Sequence, residues 1–408
     1  MRHNSSRGIE SDPRQKEVVK AVIENDVGRL NAILQGMKPH EYTQSNYSFP
    51  RELFEDNPTS SSSSFYYMPL PISNVTLLHI AAYCDSLDVF IYLCSISPNF
   101  NTRTTTANSY HPLHYACSSA AYEVAFYILS IDPTEATQTP SVEYHFIYLA
   151  SDSGDPDILN LLFSNGADIN SPANKRNGSV SQAVRRQNIE CLRILIKKGS
   201  KETRDQRDYT PLMLAITNYQ FEAVPILLDS GEDPEYFAPD GKSALFLSCF
   251  TDNVDVVRLL CEKMRVVDID PQKNAKGLIH YACMSYDPEI VKIVLTKNIE
   301  INRMDEEGRL GPWYLADMAK EEDIIQILEM LVDKGLNLNL VKNLGHEKNS
   351  DPLLGSFVIA IKKMMNVMEW MLVHGADPNM KMQSGKTIME IAEKSPNRYI
   401  RQLFMKYK

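Results

Sequence analysis

The sequence predicts an all-α solenoid of stacked helix–turn–helix units, and three observations carry that prediction. One is a unit clearest from Thr210 to Gly231: Thr-Pro-Leu-Met-Leu-Ala, then Phe221, Val224, Leu227 and Leu228, then Ser230-Gly231. Another is an alanine that returns in phase as Ala81, Ala116, Ala150, Ala183, Ala215, Ala282, Ala316, Ala360 and Ala392, with Ser248 standing in once. The intervals run from 32 to 35 residues, except for 44 between Ala316 and Ala360. The third is a loop signature that recurs as Asn165-Gly166-Ala167-Asp168, Ser230-Gly231-Glu232-Asp233, Lys334-Gly335-Leu336-Asn337 and His374-Gly375-Ala376-Asp377.

Each part of the unit has a physical reason. Pro211 suits a first helical turn, where its missing N–H would be unpaired anyway. Leu212, Leu214 and Ala215 give a short apolar face on one helix, and Phe221, Val224, Leu227 and Leu228 fall at helical spacing on a second. Gly231 stands where a left-handed residue is needed to end that helix. Pro225 lies inside the second helix and is expected to perturb its first turns. Two short helices cannot bury their apolar faces alone, so the unit must stack on copies of itself.

Partial copies of one hexamer recur at the phased alanines: Thr76-Leu77-Leu78-His79-Ile80-Ala81, His111-Pro112-Leu113-His114-Tyr115-Ala116, Thr210 to Ala215, and Leu278-Ile279-His280-Tyr281-Ala282. With a period near 33 residues, this core resembles the ankyrin repeat. The resemblance implies a cupped array with short turn or hairpin tips, which binds another protein on its concave face and catalyses nothing. It also implies that His79, His114 and His280, which share one repeat phase, make hydrogen bonds tying adjacent turns.

The phase divides the chain. Residues 1–14 are expected to form a flexible tail and 15–408 a single array: an amino-terminal cap at 15–37, an insertion loop at 38–74, central repeats over 75–339, a second insertion at 340–354, a repeat at 355–386 and a carboxyl-terminal cap at 387–408. The motif at Leu310 to Ala316 is distorted. The first insertion reads either as a tolerated loop, dispensable for folding, or as a regulated segment phosphorylated within Ser60 to Ser64.

Composition is that of an ordinary soluble protein, with 43% hydrophobic and 23% charged residues. No apolar run approaches a membrane span, and the first residues lead into charge rather than a signal sequence. Seven cysteines without Cys-x-x-Cys spacing read as small core residues in a reducing cytoplasm. Nucleotide-binding, hydrolase, metalloprotease and kinase motifs are absent from the sequence. No enzyme activity, cofactor, metal or small-molecule substrate is therefore expected, and the expected state is a monomer.

Charge is uneven. Thirteen Asp or Glu and one basic residue, Arg103, lie between Glu52 and Asn174, whereas ten Lys or Arg face three acids between Lys175 and Arg207. Carrying the family's concave positions onto this chain selects Lys175, Arg185, Arg186, Arg204, Gln206, Arg207, Tyr209, Asn218, Phe237, Lys242, Phe250, Lys273 and Lys276. Arginine forks and aromatic anchors suit an acidic or phosphorylated peptide. Two rivals remain: an adaptor linking a client to a ubiquitin ligase or membrane skeleton, and nucleic-acid binding through the basic band. The overall charge of −10 opposes the second.

Overall fold

The computed structural model describes residues 13–37, 42, 47–48, 70, 73–96, 110–137, 144–170, 178–201, 204–265, 276–316, 320–345, 348–360 and 364–408. The chain falls into two compact units, 1–206 and 207–408. Each is an all-α repeat solenoid of helix pairs. In the first unit the pairs are α1 (Pro13–Ile23) with α2 (Val27–Leu34), α3 (Leu77–Tyr83) with α4 (Leu87–Ile96), α5 (Pro112–Ser119) with α6 (Tyr122–Ile131), α7 (Phe146–Ser153) with α8 (Pro156–Ser164), and α9 (Ser179–Arg185) with α10 (Ile189–Lys197). Within this unit first helices stack on first helices and second on second.

The second unit continues with α11 (Pro211–Thr217) and α12 (Ala223–Asp229), α13 (Ala244–Ser248) and α14 (Val254–Lys263), and α15 (Leu278–Met284) and α16 (Pro288–Val294). A 3-10 turn (Gly311–Ala316) then pairs with α17 (Glu321–Asp333), followed by α18 (Leu353–Ile359) with α19 (Met365–Val373) and α20 (Ile388–Glu393) with α21 (Arg398–Met405). The distorted motif is that 3-10 turn. A Cβ on Gly311 would stand 3.0 Å from the Ile279 carbonyl oxygen, so the two first elements meet here backbone to backbone. Pro225 sits in the first turn of a helix that begins only at Ala223, where its missing N–H removes no internal hydrogen bond.

The phased alanines from Ala81 to Ala282, with Ser248 and Ala392, lie inside first helices and are fully buried, because only a small side chain lets neighbouring helices approach there; Ala316 ends the 3-10 turn and Ala360 lies just past α18. Four residues after Ala21, which is buried at the corresponding point of α1, and after each phased alanine or serine from Ala81 to Ala282, the backbone turns left-handed: Asn25, Asp85, Ala120, Gly154, Gln187, Tyr219, Asp252 and Tyr286. The next amide then closes the turn on the alanine carbonyl, as from Ser86 to Ala81 and from Ala121 to Ala116. Only Gly154 adopts this φ without a side-chain penalty. Ala120→Gly is therefore expected to stabilise the first unit by about 0.5 to 1 kcal/mol, read as a raised urea midpoint at unchanged slope.

The expected insertions contain built structure. In the first, β1 (Tyr47–Ser48) pairs antiparallel with β2 (Ser73–Val75), and Tyr42, Tyr47 and Leu70 are buried. The segment is thus more than a loop laid on the array; Ser60 to Ser64 lie outside the described residues. In the second, β3 (Asn343–Gly345) and β4 (Lys348–Asn349) make a small antiparallel hairpin. The tail expected over 1–14 ends sooner, since α1 starts at Pro13, a residue preset for a first turn.

Among the described residues, no helix is long and apolar enough to cross a membrane. All seven cysteines are free thiols. Burial pushes Cys84, Cys94 and Cys261 up to about 11 and Cys191 to about 12. At neutral pH all four stay protonated, which suits apolar packing rather than nucleophilic work.

Candidate protein-interaction face

Three histidines share one phase, and two of them bridge to the next pair. The Thr76 N–H donates to Nδ1 of His79 at 3.3 Å, which leaves the proton on Nε2 to be donated to the Tyr110 carbonyl at 2.9 Å. His280 repeats this, receiving from the Gly277 N–H at 3.0 Å and donating to the Arg309 carbonyl at 3.1 Å. His114 departs from the tying role. Its Nδ1 accepts from the His111 N–H at 3.0 Å, but its buried Nε2 has no partner among the described residues. The ring instead packs on Phe146 with centroids 4.2 Å apart. Burial holds its imidazole well below the ordinary histidine range.

Around His114 lies a buried polar cluster that the repeat phase does not announce. Nδ1 of His111 stands 3.1 Å from Oε2 of Glu135, a residue fully buried on a 3-10 turn (Pro133–Thr137). His145 is buried too, with Nδ1 unpaired among the described residues, and burial lowers its pKa. The signal available in sequence was two extra histidines, His111 and His145, beside phased positions, and the acid two residues past Pro133.

The residues selected as a partner-binding face divide between the units. Arg185, Arg186, Arg204 and Gln206 are exposed in the first. Two of these arginines are engaged internally, which corrects the picture of an open basic band. Arg186 holds Asp152 with both arms, Nε at 2.8 Å and Nη2 at 3.0 Å, and Arg185 reaches Asp205 at 3.2 Å. That bond to Asp152 raises the Arg186 pKa. Asp152 precedes Arg186 by 34 residues, one period, and this offset was the missed signal. Lys175 and Lys273 lie outside the described residues.

In the second unit, Tyr209 is not a surface anchor. It is 3% exposed, its hydroxyl donates to Asp240 at 2.8 Å, and the Arg207 guanidinium covers its ring at 4.3 Å. Burial, then the bond to Asp240, raises its pKa. Lys242 pairs with the same Asp240 at 3.0 Å.

Beside them runs an aromatic series: Phe237 meets Phe246 edge to face at 5.6 Å, Phe246 stacks on Tyr281 at 4.4 Å, and Phe250 meets Tyr281 edge to face at 6.0 Å. Phe237 is half-buried, whereas Phe250 is 43% exposed at the end of the first helix of its pair. Asn218 is exposed just past α11. Cations line the continuation: Lys276 lies 4.7 Å over the Tyr314 ring and Arg309 4.2 Å over Trp313. Arg309, Trp313 and Tyr314 were not among the selected residues, because the distorted motif hides their phase. Nothing among the described residues groups three or more potential metal ligands.

Two stretches, residues 147–238 and 233–305, match a family model described as ankyrin repeats. Among curated proteins, the chain is 23% identical over 266 residues to ankyrin repeat and KH domain-containing protein mask-1 of Caenorhabditis elegans, covering 64% of this chain and 9% of that protein. It is 27% identical over 172 residues to ankyrin repeat and SOCS box protein 3 of Bos taurus, covering 41% of this chain and 33% of that one. Phosphocholine transferase AnkX of Legionella pneumophila is 26% identical over 200 residues, 45% of this chain and 20% of its own length. The chain thus spans a third or less of each of these relatives. With helix pairs of the same design on both sides of the matched stretches, this chain is an ankyrin-repeat protein.

Proposed function

We propose that the protein is a non-catalytic, cytoplasmic interaction scaffold that binds an acidic or phosphorylated segment of a partner protein across the first-helix and tip side of its second unit. The observation that carries this reading is the exposed Phe250 at the end of the Phe237–Phe246–Tyr281 series, with Lys242, Lys276 and Arg309 held along it by ion pairs and aromatic rings. An aromatic anchor ringed by cations is the composition that dominates interface energy and selects negative partners. Arg186 contributes less to this reading than its charge suggests, because its fork is filled by Asp152, and Arg185 spends one arm on Asp205.

The test replaces Phe250 with Ala and Lys242 and Lys276 with Glu in one variant, used beside the wild type to capture proteins from native lysate. Loss of a captured protein, at an unchanged thermal unfolding curve, is the expected result. Identical capture by a folded variant overturns the reading. A variant with Arg185 and Arg186 changed to Glu is the weaker probe, since it also breaks two internal ion pairs.

A further inference from the structure

The second helices of the first unit carry a pattern that the repeat itself does not require. In α4, α6 and α8, which lie side by side, exposed positions return at intervals of 35 and 34 residues: Asp88, Glu123 and Asp157 in one row, Ile91, Phe126 and Asn160 in the next. Ile91 is 38% exposed, Tyr122 37% and Phe126 51%. Phe90 and Tyr127 meet edge to face at 6.1 Å between α4 and α6, which sets their chain neighbours Ile91 and Phe126 on either side of that seam. Tyr122 and Phe126 stack at 6.1 Å with planes 18° apart, so the apolar surface is continuous along α6.

Along α4, α6 and α8 themselves the charge has one sign, and Arg29 of the flanking α2 is paired with Glu24 at 2.7 Å. Between Arg51 and Lys175 the only basic residue is Arg103, and among the described residues no Lys or Arg pairs with Asp88, Glu123 or Asp157. The next second helix, α10, is the opposite, with Arg193, Lys197 and Lys198 exposed. Lys198 lies 5.2 Å over the Phe163 ring of α8, so this layer's aromatic faces already accept a cation where the chain supplies one. Among the described residues none lies over an aromatic ring of α4 or α6.

We propose that the α4–α6 face of the first unit docks a basic amphipathic helix of a partner protein. The apolar side of that helix covers Ile91, Tyr122 and Phe126, and its Lys and Arg residues reach Asp88, Glu123 and Asp157. The seam between two parallel-running helices accommodates a third as ridges into a groove, with apolar anchors at helical spacing. The sign of the rim excludes nucleic acid and anionic lipid as occupants. This interface is separate from the aromatic series of the second unit and stands without it.

The test uses a fluorescent Leu/Lys amphipathic helical peptide as the probe and its Leu/Glu counterpart as the control, titrated against the full chain at physiological salt. The Leu/Lys probe is expected to bind and the control not to. Phe126→Ser should weaken the probe about tenfold, as loss of a central aromatic anchor does, and Glu123→Gln should weaken it by a smaller factor. The Phe250→Ala variant should bind like the wild type. If Phe126→Ser misfolds, Tyr122→Ser takes its place. Binding that responds to Glu123→Gln but not to loss of either aromatic is charge attraction alone and overturns the proposal, as does absence of binding. Sedimentation showing a wild-type dimer dispersed by Phe126→Ser would make a second copy the occupant and overturn it equally.

Discussion

Glu135→Ala will lower the stability of the first unit by about 3 kcal/mol, the range for removing one partner of a buried polar pair. Glu135 has no exposed surface, and the ring it serves, His111, is itself buried and meets His114 edge to face at 5.7 Å. Deleting the carboxyl leaves an imidazole without its partner in a place water does not fill cheaply. Glu135→Gln keeps the shape and one acceptor and should recover more than half of the loss. Denaturant unfolding of both variants decides it; equal stability of Glu135→Ala and wild type would show that the pair contributes nothing.

The same cluster sets a pH dependence. Burial depresses the pKa of His114 and His145, so the folded state keeps them neutral. Above about pH 6.5 both folded and unfolded states are neutral and nothing changes. Below it the unfolded chain binds protons that the fold refuses, and stability falls by up to about 1.4 kcal/mol per pH unit for each such group. A His114→Phe variant should show a shallower loss between pH 7 and 5.

Tyr47→Ala will cost about 3 kcal/mol, the usual penalty for emptying an aromatic site in a core. Tyr47 is 1% exposed although it lies in the segment between the first two helix pairs, and its strand pairs with Ser73 to Val75 just before α3. Removing residues 38–72 entirely takes Tyr42 and Leu70 away as well and should destabilise the first unit further. An excised chain that melts like the wild type would return the segment to the status of a tolerated loop.

Most of the architecture was legible because the repeat writes the same constraint many times. Each phased alanine marks a place where two helices touch, and no partner or solvent condition is needed to see it. Gly231, with φ of 93°, stands where the loop signature required a left-handed residue. The site was less legible for a definite reason: charge and aromaticity are properties of residues, but availability is a property of neighbours. Arg186 and Tyr209 have the chemistry of contact residues and are occupied by Asp152 and Asp240. Trp313 and Arg309 were overlooked because a 3-10 turn shifts the register on which phase arguments depend. The His111–Glu135 pair was harder to see, because the acid belongs to no repeat position.

The left-handed corners between paired helices also make the array mechanically uneven. At Asn25 and Asp85 the cornering residue reaches into the next pair: Asn25 accepts from the Val89 N–H at 3.0 Å, and Asp85 accepts from the Val124 N–H at 2.9 Å. Within the second unit, Tyr219, Asp252 and Tyr286 make no such bond among the described residues. A clipped joint resists shear between neighbouring pairs through a directional bond, whereas an unclipped one yields through sliding apolar contacts. Under tension from the two ends, the pairs joined by Asn25 and Asp85 should be among the last to peel, and the first extensions would come from pairs whose corners hold nothing but themselves.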